Sequence, residues 1–82
     1  MEPSDGILEE IVTLLSRRGT SYARPATSVE IGRELNVSPS YVRECSSRLR
    51  AEHLVGVRRG PGGGYYVVGE AATDGLRRGQ RR

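Results

Sequence analysis

Between two short apolar runs the chain carries Gly60-Pro61-Gly62-Gly63-Gly64, entered through Arg58 and Arg59. That stretch cannot be helical, because proline lacks an amide hydrogen and glycine loses the most backbone freedom on ordering. Its glycines instead permit the positive φ angles of a tight reversal. Leu54 to Arg59 on one side and Tyr65 to Val68 on the other then read as two strands, with Leu54, Val55 and Val57 anchoring the first. A lone two-stranded ribbon is marginal in water, so it must lean on what precedes it.

What precedes it is helical by pattern. Ser38 suits an N-cap and Pro39 a first helical position, opening a helix over residues 39–52. At 100° per residue, Tyr41, Val42, Cys45 and Leu49 share one face. Ser40, Arg43, Glu44, Ser47 and, further round, Arg50 share the other. Upstream, Thr27-Ser28-Val29-Glu30 forms a capping box for a helix over 28–35, with Val29, Ile31 and Leu35 apolar. Asn36 suits a left-handed ending and Val37 plugs the turn. A short helix, a tight turn and a second capped helix make a helix-turn-helix signature, with a plain antiparallel helix pair as the alternative.

The first helix is expected over residues 6–18, capped by Ser4 or Asp5 and stopped at Gly19 behind two arginines. Ile7, Leu8, Ile11, Val12, Leu14 and Leu15 are its apolar set, with 7, 8, 11, 12 and 15 in a 3.6-residue stripe; it carries no chemistry and reads as scaffold. Pro25 keeps the connection at 19–26 out of a helix. Ala26 and Thr27 are placed as a short first strand beside the ribbon. The expected class is therefore mostly α with a small β-hairpin (α+β): a winged helix-turn-helix of three helices plus wing, spanning 1–69. Residues 70–82 hold Arg77, Arg78, Arg81 and Arg82 with little apolar content, and read as a disordered arginine-rich tail.

A chain of 82 residues without Trp or Phe can build only a small Leu, Ile and Val core, with no room for a deep substrate pocket. One His, one Cys and no convincingly spaced acid pair argue against an enzyme. The single Cys45 excludes an intrachain disulfide or a multi-cysteine metal site within this chain; it reads as a small core hydrophobe. No cofactor or metal is expected, and His53 reads as a helix-end residue. No apolar run is long enough to span a membrane and no basic leader precedes the first helix, so a cytoplasmic, nucleoid-associated location is expected. Charge is divided unevenly. Residues 1–41 hold six acids and four arginines; residues 42–82 hold four acids and nine arginines. The basic half contains the third helix and the hairpin, as a nucleic-acid-binding face requires. All basic residues are Arg, consistent with a GC-rich bacterial or phage genome.

These features define candidate contacts with double-stranded DNA. Ser40, Arg43, Glu44 and Ser47 are placed to read base edges in a major groove, with Arg suited to guanine and Glu to cytosine. Ser38 lies at a helix N-terminus, a natural phosphate site. Tyr41 is either core or a phosphate donor, and Arg50 lies on the flank of the reading face. Arg58 and Arg59, at the mouth of a turn without bulky side chains, can approach the backbone or enter a minor groove. The glycine-rich loop lacks the G-x-x-x-x-G-K-[ST] pattern and sits between strands, which disfavours nucleotide binding.

S-x-S-Y-V at 38–42, S-R-L-R at 47–50, L-V at 54–55 and R-G-P-G-G-G-Y at 59–65, together with I-G-R-E-L-N-V at 31–37, carry a family likeness. Over roughly residues 7–70 the chain resembles the bacterial winged-helix repressors that include the iron–sulfur cluster regulator, the nitric-oxide-sensing repressor and the cysteine-metabolism repressor. The resemblance implies a third helix in the major groove, Arg59 in the minor groove, and dimers on partly palindromic sites. Three departures stand out. The cysteines that hold a cluster after the wing are absent, the long dimerisation helix gives way to a polar tail, and His53 stands where the family commonly has Gly.

The expectation is a sequence-specific DNA-binding protein, a small transcriptional regulator acting as a homodimer or by side-by-side cooperative binding. Two alternatives stay open: a winged-helix protein–protein interaction module, and a phage or plasmid architectural DNA-binding factor.

Overall fold

The computed structural model describes residues 5–68. Three helices, α1 (Asp5–Arg17), α2 (Ser28–Leu35) and α3 (Pro39–Ala51), precede an antiparallel ribbon of β1 (Val55–Arg58) and β2 (Gly64–Val67). This is the expected winged helix, with boundaries moved by a residue. Asp5 is the first helical residue rather than a cap before residue 6, and Gly64 pairs with Arg58 instead of lying in the turn. Residues 1–4 and 69–82, which include the expected tail at 70–82, lie outside the described residues.

The core is aliphatic. Ile11, Leu15, Ile31, Val42 and Cys45 are fully buried, joined by Leu8, Leu14, Ala26, Leu49, Val55 and Val67. The α1 stripe is turned slightly from the expected one: Leu14 is buried, while Ile7 and Val12 flank the core.

Local chemistry sets each helix end. The α1 helix closes in a Schellman turn, with Gly19 at φ 66° and amides of Gly19 and Thr20 donating to Ser16 and Leu15. The Thr27–Glu30 capping box is complete, both bonds at 3.0 Å. Asn36 adopts the left-handed conformation, φ 61°, and α3 opens on Ser38, whose Oγ accepts from the Tyr41 amide at 3.1 Å. At Gly32 the α2–α3 turn folds back so closely that a Cβ would stand 2.5 Å from the Val37 carbonyl oxygen.

A second Schellman turn ends α3. The amides of His53 and Leu54 donate to the carbonyls of Arg50 and Leu49, at 2.9 and 3.0 Å. His53 occupies the left-handed position, φ 63°. This is why glycine suits the position: the turn needs a positive φ, which glycine adopts without a Cβ penalty.

The connection between α1 and α2 braces the ribbon. Ala26 pairs with Tyr65 through two backbone hydrogen bonds of 2.8 and 2.7 Å. The expected extra strand is thus one bridging residue, because Thr27 is already committed to capping α2. The Thr20 hydroxyl donates to the Leu15 carbonyl and accepts from the Val67 amide, tying α1 to β2.

Candidate nucleic-acid interface

The outer face of α3 follows from its buried one. Val42, Cys45, Ser46 and Leu49 face the core, which leaves Ser40, Arg43, Glu44, Ser47 and Arg50 exposed together with Arg48. The residues expected to read base edges therefore share one solvent-facing surface. Sequence reasoning passed over two members of this helix, exposed Arg48 and buried Ser46.

Arg43 is not a loose side chain. Its guanidinium donates to Ser40 Oγ at 3.1 Å and to Ser28 Oγ on α2 at 3.5 Å. Ser28 was legible only as the first residue of a capped helix, and nothing in its position signalled a partner fifteen residues away. Ser38 is exposed at the N-terminus of α3, its hydroxyl oxygen occupied by the cap. Tyr41 is half-buried and packs against the core. A hydrogen bond also links it to the Cys45 thiol one turn on.

Burial pushes the Cys45 thiol above its ordinary value, with the Tyr41 hydrogen bond acting in the opposite sense. A protonated, enclosed thiol is a poor nucleophile and a poor metal ligand. Among the described residues, no group of three or more His, Cys, Asp or Glu side chains is arranged to hold a metal.

The wing is a narrow reversal. The Gly63 amide donates to the Gly60 carbonyl at 2.9 Å, with Pro61 and Gly62 between them and Gly62 at φ 74°. Proline followed by a positive-φ glycine is the type II arrangement. Arg59 is exposed at the start of this loop. Arg58 differs from its neighbour: its Nη1 donates to the Tyr22 carbonyl at 3.3 Å, and its guanidinium lies 5.3 Å from the centre of the Tyr22 ring.

Tyr22 and Tyr66 are the residues that sequence reasoning missed here. Along β2, Tyr65 and Val67 face the core while Tyr66 must face outward. Opposite Tyr66 in the ladder stands Gly56, and the Tyr66 ring occupies the space a Cβ there would need. That pairing was readable; the arrival of Tyr22 was not.

A helix-turn-helix whose second helix runs directly into a hairpin with an exposed arginine defines a winged helix-turn-helix module. Comparison with known proteins agrees. A family model described as Rrf2, iron-dependent transcriptional regulator, matches residues 5–73. The HTH-type transcriptional regulator IscR of Escherichia coli is 35% identical over 63 residues, with the same values in strains O1:K1 / APEC and K12 / DH10B. The match covers 77% of this chain and 39% of IscR, so the chain spans well under half the length of these relatives. No solved structure matches at a significant level. The chain belongs to the Rrf2 family, as its helix and wing motifs had suggested.

The family description names iron. The only cysteine is sealed in the core with its thiol pKa raised, and the described residues offer no converging ligand set. They do not fit an iron or iron–sulfur site. No helix among the described residues is long and apolar enough to cross a membrane.

Proposed function

We propose that this chain is the DNA-binding module of a transcriptional regulator and has no enzymatic activity. In this reading α3 enters the major groove of double-stranded DNA. Ser40, Arg43, Glu44 and Ser47 meet base edges, while Ser38, Tyr41 and Arg50 approach the backbone. Arg59 leads the wing, residues 58–65, onto the minor groove or its rim. Residues 1–69 form the binding domain, and the arginines of 70–82 add non-specific attraction to phosphates. Two copies, paired or side by side, would occupy one site in the cytoplasm, on the nucleoid.

The observation that carries this reading is the solvent face of α3. It exposes short polar and basic side chains and no large hydrophobic one. A protein-docking face would instead be rich in exposed apolar groups.

Fluorescence anisotropy on random-sequence duplex DNA across a salt series tests it, with the native chain beside Arg59→Ala. Binding should fall steeply with salt, and the variant should bind more weakly with a slope reduced by about one unit, the share of one neutralised phosphate. A chain without salt-dependent affinity even at low ionic strength would refute the proposal and turn attention to a protein partner.

A further inference from the structure

We propose that Arg58 is a positioning residue rather than a DNA contact. Tyr22, braced edge-on by Tyr66, holds it against the α1–α2 connection, and this fixes the direction in which the wing presents Arg59. The inference rests on the DNA-binding reading above and divides the labour of two adjacent arginines that the sequence presents as equivalent.

The register of the ribbon supplies the first step. Strand neighbours alternate faces, so Val55, Val57, Tyr65 and Val67 share the inner side, and Gly56, Arg58, Gly64 and Tyr66 share the outer side. Two of the four outer positions are glycines, which leaves Arg58 and Tyr66 as the only outer side chains of the ladder. Tyr22 lies across both. Its ring meets Tyr66 edge-on, with centroids 5.8 Å apart and planes at 81°, and the Arg58 guanidinium stands 5.3 Å from its centre. Its carbonyl accepts from Arg58 Nη1 at 3.3 Å.

These contacts are not a by-product of core formation. The Tyr22 side chain is 61% exposed, so burial alone does not place it. The segment that carries it is itself constrained: Ser21 and Arg24 exchange backbone hydrogen bonds at 3.2 and 2.9 Å, and Ala26 pairs with Tyr65. Tyr22 is thus presented from a closed turn whose far end is already fastened to β2.

Position decides the consequence. Arg58 pairs with Gly64 in the last rung before the loop at 59–63. That loop is glycine-rich, and such segments set their own direction poorly. Whatever holds the last rung aims the loop. Arg58 would have to abandon both the carbonyl and the ring of Tyr22 to reach a groove. Arg59, one residue on and exposed, is free of that engagement. Preorganising a binding loop lowers the ordering cost of association.

The experiment uses the full chain and four single variants, Tyr22→Ala, Tyr22→Phe, Arg58→Ala and Arg59→Ala, with the double variant Tyr22→Ala/Arg58→Ala. Each is checked for fold by circular dichroism and titrated onto duplex DNA across a salt series. Tyr22→Ala, which removes no charge, should bind roughly 3- to 10-fold more weakly with an unchanged salt slope. Tyr22→Phe, which keeps ring and carbonyl, should match the native chain. Arg58→Ala should resemble Tyr22→Ala, and the double variant should lose no more than either single one, the mark of a shared interaction. Only Arg59→Ala should flatten the slope, by about one unit. A second readout needs no DNA: amide exchange at Gly60, Gly62 and Gly63 should accelerate in Tyr22→Ala and Arg58→Ala, with α1 unchanged.

The proposal is overturned if Arg58→Ala flattens the salt slope as Arg59→Ala does. It is also overturned if Tyr22→Ala binds like the native chain, or if wing exchange is unaltered. Should the native chain show no salt-dependent affinity, the DNA-binding reading fails by itself, and the exchange measurement still decides whether Tyr22 holds the wing.

Discussion

Ser46 sits in the middle of α3 with its side chain fully enclosed and its hydroxyl without a hydrogen-bond partner among the described residues. Replacing it with alanine should stabilise the protein. Leaving a buried hydroxyl unsatisfied costs about 1–3 kcal/mol, and Ser46→Ala removes that cost. Alanine also gains about 0.5 kcal/mol of helix propensity. The hole left by one oxygen, on the order of 10 Å³, gives back about 0.25 kcal/mol. The net expectation is about 1–2 kcal/mol of added stability, taking the lower half of the desolvation range. For a domain of this size that raises Tm by about 5–10 °C, measurable by calorimetry and by the urea midpoint at constant slope. DNA affinity should not change, because Ser46 faces away from the proposed reading surface. A fall in Tm would refute the reasoning, since it would mean that the hydroxyl is satisfied in solution and that its loss orphans a partner.

Other expectations follow from single positions. Gly32→Ala should destabilise by about 1–3 kcal/mol, because the new methyl meets the Val37 carbonyl at 2.5 Å; in an open helix the same change would stabilise, so the sign in a urea titration is decisive. At His53, φ 63°, the order of stability should be Gly at or above His, with Val about 1–2 kcal/mol below, because a β-branched residue resists the left-handed region; equal midpoints for His and Val would contradict this. Removing the capping hydroxyl in Thr27→Ala should cost about 1 kcal/mol, read from the same titration. The raised Cys45 thiol pKa means that the folded state holds its proton more tightly than the unfolded one. That contribution is intact below the ordinary thiol value of 9.0 and is lost as pH rises through the higher folded value. Unfolding free energy should therefore fall more steeply above about pH 9 in the native chain than in Cys45→Ala, and parallel curves would exclude it.

What could be read from the sequence was local. Thr27 with Glu30, Ser38 with Pro39, and Gly19 behind two arginines each announce a helix end through chemistry spanning four residues or fewer, and all are seated accordingly. The face of α3 was legible because a helix repeats every 3.6 residues. Ser46 escaped because a serine on that wheel looks neutral until its neighbours close over it. The Arg58–Tyr22 contact escaped because it spans 36 residues with no periodicity to announce it. Gly64 looked like one more turn glycine. In the structure it is a ladder residue, and a side chain there would strike the Ala26 carbonyl. His53 was legible as a helix-end residue standing where glycine is common; the Schellman turn supplies the reason.

That same turn leaves almost no chain between the end of α3 at Ala51 and the start of β1 at Val55. All three intervening amides, those of Glu52, His53 and Leu54, bond back into the last helical turn. Helix and ribbon therefore share one phase. An insertion of one residue at 52–54 would turn the ribbon over, sending Arg58 and Tyr66 inward and Val57 and Val67 to solvent. A deletion would do the same. Point substitutions on the helix face, by contrast, leave that phase untouched. Under the proposed function, a chain built this way would change the sequence it reads by single side chains, while the length of its joint stays fixed to the residue.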